Sequence, residues 1–129
     1  MTRARWSAVV AIVVLVLGGR ASVASAHADL LGSTPAANSV VAAAPTEIVL
    51  TFTEGVTPSV DAIRLFDSDG IAVDLGEVNQ AGGGETLTVA IPDTLDNGTY
   101  VVAWRAVSVD SHPISGAFLF SVGEAEVTD

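Results

Sequence analysis

The chain has 129 residues, no cysteine, a single methionine at position 1 and a formal net charge of −10 at pH 7. Once residues 1–26 are set aside for the reasons below, about 100 remain, enough for one domain with one core. They keep all 15 acidic residues against only Arg64 and Arg105, a net charge of −13 with no lysine. That balance excludes nucleic acid and anionic membrane surfaces as partners, since both bind through Lys and Arg.

The amino-terminal segment reads as a secretory signal peptide spanning residues 1–26. Arg3 and Arg5 form a short basic region, Ala8 to Leu17 is uninterruptedly apolar, and Ala24-Ser25-Ala26 is a small-residue cleavage signature. The apolar run is too short for a spanning helix, which needs about 20 residues. Much of the mean hydropathy of +0.54 comes from this segment. Export to the periplasm or the extracellular space is therefore expected, with His27 as the new amino terminus and no membrane span in the mature chain. An uncut signal-anchor is the alternative.

Beyond the leader no stretch shows helical periodicity, and short alternating or β-branched runs recur instead. Glu47 to Phe52 places Ile48, Leu50 and Phe52 on one face. Ala62 to Phe66 is a second run, and Asp67-Ser68-Asp69-Gly70 turns into a third at Ile71 to Leu75. Ala81-Gly82-Gly83-Gly84 reads as a flexible loop before Glu85 to Ile91. Asp96-Asn97-Gly98 is a strong turn signal leading into Tyr100 to Val109, where Tyr100, Val102, Trp104 and Ala106 share a side. Ile114 to Val122 closes the set with Gly116, Phe118, Phe120 and Val122 aligned. About seven strands in this length predict an all-β Greek-key β-sandwich or barrel over residues 27–123. The acidic residues 124–129 read as a frayed tail.

The chain contains only two histidines, His27 and His112. An amino-terminal histidine offers a metal its freed α-amine and its imidazole. His112 lies in Val109-Asp110-Ser111-His112-Pro113, where Pro113 favours extended backbone and the two-residue spacing turns Asp110 and His112 to one side. Alone, Asp-x-His is an ordinary solvated loop pair. Beside an amino-terminal histidine, and with no other histidine present, it becomes a specific ligand signal. The combined N, N, N and O donors suit Cu(II), while the lack of thiolate and thioether after Met1 disfavours Cu(I).

Other motifs carry less. An EF-hand loop counted from Asp67 would need an oxygen ligand at its fifth position and glycine at its sixth, where the chain has Ile71 and Ala72. A hairpin turn accounts for the acidic residues better. No G-x-S-x-G or P-loop sequence is present. Ser111 lies between Asp110 and His112, but neighbours in sequence do not make a catalytic triad.

His27-Ala28-x-Leu30, Ser33-Thr34-Pro35-Ala36, Phe52-Thr53-Glu54, Gly98-Thr99-Tyr100-x-Val102-x-Trp104-Arg105 and Val107-Ser108-x-Asp110-x-His112-Pro113-Ile114-x-Gly116-x-Phe118-x-Phe120 resemble the CopC family of exported copper-binding proteins. The resemblance spans nearly all of the chain after the leader. It implies a cupredoxin-like, immunoglobulin-like sandwich and one Cu(II) per chain on His27, Asp110 and His112, with Glu54 near the metal but not bound to it. A CopD-type membrane copper permease is the implied partner. Some members carry a methionine-rich Cu(I) loop, and Gly82-Gly83-Gly84 stands in its place here.

The expected function is thus a monomeric, non-enzymatic Cu(II)-binding protein acting in copper homeostasis or resistance. Lytic polysaccharide monooxygenases also bind copper through an amino-terminal and a second histidine, which makes a polysaccharide oxygenase the enzymatic alternative. Such enzymes are longer and commonly expose aromatic residues to substrate, whereas six aromatics remain after the leader, mostly at core-facing positions. A metal-free immunoglobulin-like adhesion module is the third reading.

Overall fold

The computed structural model describes residues 27–123; the expected signal peptide and acidic tail lie outside the described residues. Nine strands form: β1 (Leu30–Thr34), β2 (Ser39–Val41), β3 (Glu47–Phe52), β4 (Val56–Phe66), β5 (Ala72–Val73), β6 (Val78–Ala81), β7 (Thr86–Ala90), β8 (Gly98–Ser108) and β9 (Pro113–Val122). They make a four-stranded sheet in the order β1-β3-β7-β6 and a five-stranded sheet in the order β2-β9-β8-β4-β5. All pairings are antiparallel except β2 with β9. The chain changes sheet between β1 and β2, β2 and β3, β3 and β4, β5 and β6, and β7 and β8, as expected of a Greek-key sandwich.

Alternation builds the core. Ile48, Leu50 and Phe52 of β3 and Leu87 and Val89 of β7 face Tyr100, Val102, Trp104 and Ala106 of β8, all buried. Each large aliphatic side chain so enclosed contributes roughly 1.5–3 kcal/mol relative to exposure, which matters in a domain without disulfides. Phe52 meets Trp104 edge-on across the two sheets, with ring centroids 5.2 Å apart. The Tyr100 hydroxyl donates to the Asp96 carbonyl at 2.8 Å, the tyrosine-corner contact of many β-sandwiches.

Several expectations need correction. The second run is the end of an eleven-residue strand. From Pro58 to Ile63, β4 takes five steps while its partner β8 takes two, from Ala106 to Trp104. The extra residues bulge, with Asp61 at φ 52°, and switch the inward set from Val56 to Ile63 and Leu65. The third run shrinks to Ala72–Val73, leaving Ile71 exposed. Asp96-Asn97-Gly98, expected as a turn into the strand at Tyr100, ends the connection between the two sheets, and its glycine already opens β8. The triple glycine is not a loose loop. It forms a 3₁₀ turn packed so tightly on Gly55 that a Cβ at position 55 would lie 2.5 Å from the Gly83 carbonyl oxygen. The acidic turn is a hairpin turn as expected, with the Asp67 carboxylate accepting the Asp69 and Ile71 amides at 3.0 and 2.9 Å.

Candidate metal centre

One end of the sandwich joins the segment before β1 to the β8–β9 turn. Buried Ala28 anchors the first segment in the core. Asp29 is tied to the end of β3 by a reciprocal pair: its amide donates to Thr53 Oγ1, and the Thr53 amide donates to its carbonyl, both at 2.9 Å. Leu30 then pairs with Phe52. These bonds fix where His27 leaves the four-stranded sheet.

The five-stranded sheet supplies the other two side chains. β8 and β9 pair continuously from Gly98–Val122 to Val107–Pro113, so the turn between them is rigidly based. The Ser108 amide donates to the His112 carbonyl at 3.0 Å, and the Ser111 amide to the Ser108 carbonyl at 2.9 Å. Ser111 takes φ 68°, which reverses the chain and leaves Asp110 and His112 on the same side. Val109, read from the sequence as strand, belongs to this turn and is exposed.

The three side chains meet. Asp110 Oδ2 lies 3.2 Å from Nδ1 of His27 and 2.9 Å from Nδ1 of His112. Candidate ligand atoms of all three residues fall within 4.8 Å of one another. The imidazoles stand edge to face with centroids 4.9 Å apart. Two ligands about 2.0–2.1 Å from one metal are about 2.9 Å apart when they subtend a right angle, so the contacts on Oδ2 suit adjacent corners of a tetragonal site. The imidazoles are 51% and 64% exposed and Asp110 only 22%, so the carboxylate forms the floor of the cluster and the histidines its open rim.

The Ser108 hydroxyl, which hydrogen-bonds Asp110 Oδ1, is the foremost cause holding the Asp110 carboxyl well below the usual carboxylate range; His112 adds to it through hydrogen bonds and charge. Asp110 is thus a ready anion at neutral pH. Glu54 sits half-buried in the bend between β3 and β4, next to Thr53. It is not one of the three residues whose ligand atoms converge, and among the described residues no hydrogen bond joins its carboxylate to them.

Sequence reasoning overlooked Ser108, the only buried polar side chain among the described residues. The signal was available: even-numbered positions of β8 face inward, so a serine at 108 puts a hydroxyl where alternation calls for an apolar group.

The family model for the CopC domain matches residues 30–123. The chain is 31% identical over 127 residues to the copper transport protein CutJ of Bacillus subtilis, covering 98% of this chain but spanning only 23% of that protein's length. It is 36% identical over 108 residues to copper resistance protein C of Pseudomonas syringae pv. tomato, covering 78% of this chain and 84% of that one. The crystal structure of CopC from Methylosinus trichosporium OB3b superposes with a TM-score of 0.67 at 35% identity, covering 80% of this chain and all of the other.

Proposed function

The chain belongs to the CopC family, and from that premise we propose that residues 27–123 bind one Cu(II) and sequester or deliver it outside the cytoplasmic membrane, in copper homeostasis or resistance. The observation that carries this reading is the contact of one carboxylate oxygen with an imidazole nitrogen from the segment before β1 and another from the β8–β9 turn, at 3.2 and 2.9 Å.

The ligands are the amine and Nδ1 of His27, Nδ1 of His112 and a carboxylate oxygen of Asp110. Nδ1 is the nitrogen of His27 that can close a small chelate ring with its own α-amine, and it is the one turned toward Asp110. Cleavage after Ala26 frees that amine. Each imidazole takes up the cation without a proton on its ligating nitrogen, so uptake releases protons when the rims are protonated. The exposed rim leaves the ion open to a partner that exchanges copper with the domain. A CopD-type membrane permease fills that role, and the domain acts as a monomer.

The donor set favours binding over oxygen chemistry. It contains no cysteine or methionine, and its carboxylate favours Cu(II) over the Cu(I) state that activates oxygen. Of the six aromatics after the leader, Phe52, Tyr100, Trp104 and Phe120 are buried, and Phe66 and Phe118 are half-buried. None of the six is exposed in the manner of an aromatic platform for stacking on a polysaccharide.

Titrating Cu(II) into protein that starts at His27 tests this reading. One ion per chain is expected, with a tetragonal spectrum, no intense blue band because no thiolate is present, and preference over Zn²⁺. Two ions per chain, no uptake, or a strong visible charge-transfer band would overturn it.

A further inference from the structure

We infer that Ser108 is a positioning residue for copper, holding one oxygen of Asp110 so that the other stays presented to both histidines. This role rests on the copper reading of the site. Ser108 ends the inward row Tyr100, Val102, Trp104, Ala106 and is 4% exposed, the only polar side chain among the buried residues described. A buried hydroxyl is costly unless it is hydrogen-bonded. Its Oγ contacts Asp110 Oδ1 and lies 3.1 Å from the His112 carbonyl oxygen. The closer acceptor is the carboxylate, and one hydroxyl has one proton to give.

The carboxylate is divided between two tasks. Oδ1 takes the Ser108 hydroxyl and the His112 amide, the latter at 3.2 Å. Oδ2 is left to face the imidazoles of His27 and His112. Without the hydroxyl, only the longer amide bond restrains rotation of the carboxylate. Ser108 is in turn anchored away from the turn: it pairs with Val56 of β4, whose carbonyl accepts the Gln80 side-chain amide at 2.6 Å. The packed sandwich therefore reaches the metal-facing oxygen through this serine. A residue that only stabilised the turn would affect folding but not the geometry offered to a metal.

The test uses chains starting at His27: the parent, Ser108→Ala, Ser108→Thr, Asp110→Ala and Ser108→Ala/Asp110→Ala. Competition titration gives Cu(II) affinity and electron paramagnetic resonance gives the ligand field. Ser108→Ala is expected to bind about 10- to 100-fold more weakly with an altered parallel copper hyperfine splitting, and Ser108→Thr to recover both. On the Asp110→Ala background the serine change should cost nothing further, because the two substitutions act through one carboxylate. Parental affinity and spectrum in Ser108→Ala, or an undiminished loss on the Asp110→Ala background, overturns the inference while leaving the copper reading intact. A parent that takes up no Cu(II) overturns both.

Discussion

Gly116 on β9 lies beneath the Trp104 indole, so that a Cβ at position 116 would come within 2.7 Å of Cζ2 and 2.9 Å of Nε1. The two residues pair across β8 and β9, and the missing side chain of one makes room for the ring of the other. Trp104 in turn reaches Phe52 in the opposite sheet, so this glycine helps set the spacing of the sandwich. Gly116→Ala should therefore destabilise the domain by about 1–3 kcal/mol, the usual cost of overpacking a filled site. Urea unfolding of a chain starting at His27, followed by Trp104 emission, measures it, since Trp104 is the only tryptophan of residues 27–129. An unchanged midpoint would mean the indole moves aside freely.

The strands that sequence made legible are the central ones. β3, β7, β8 and β9 each have a buried face, so period-two alternation is written into them. The overlooked strands β1, β2 and β6 are all sheet edges. With one neighbour and much solvent, Leu30–Thr34 includes Gly32 and Ser33, and Val78–Ala81 is mostly polar or exposed. The bulge of β4 was hidden because its extra residues reset the alternation, so only the stretch from Ala62 onward read as strand. At the candidate site, ligand chemistry was legible from His27, Asp110 and His112, but the serine behind Asp110 was not. A hydroxyl becomes informative only once burial and the fold of the turn are known.

Acid should weaken the copper-free protein partly through Asp110. Its folded carboxyl binds a proton less readily than an unfolded aspartate, first because of the Ser108 hydroxyl and then because of His112. As pH falls through the ordinary carboxylate value of about 4, the unfolded state takes up the proton first. The stabilising contribution is full above that value and is lost toward the lower folded value. Solvent exposure of the cluster keeps the effect modest. Urea midpoints of the parent and Asp110→Asn should therefore converge as pH is lowered below about 4. A gap that stays at full size down to pH 2 would show that the carboxylate's hydrogen bonds do not favour its ionised form.

Glu54 should tune copper rather than hold it. It sits beside Thr53, which clamps Asp29, but its carboxylate stands outside the group of converging ligand atoms. Replacing it with glutamine keeps the shape of the bend and removes one negative charge. Cu(II) affinity should fall by no more than about 10- to 100-fold, with the class of the paramagnetic spectrum preserved. Complete loss of binding would make Glu54 a ligand and call for a new assignment of Asp110.

The amine of His27 should matter as much as its imidazole. Once one donor of the residue is bound, the other is held close by, so the second bond forms with little further ordering, as in any tethered pair. Asp110 and His112 add donors from a separate part of the chain, and losing either still leaves the His27 chelate. One extra residue ahead of His27 keeps every side chain in place but turns the amine into a peptide nitrogen. That chain should lose Cu(II) affinity by orders of magnitude, about as much as His27→Ala, whereas Asp110→Ala and His112→Ala should keep weaker residual binding. Deprotonation must precede binding, so the affinity of the authentic chain should also rise more steeply with pH than that of the extended one. Intact-mass analysis of exported protein establishes whether His27 is first in the chain, and competition titrations of the four variants measure the rest. Equal affinity in the extended and authentic chains would remove the amine from the site and leave His27 binding through its side chain alone.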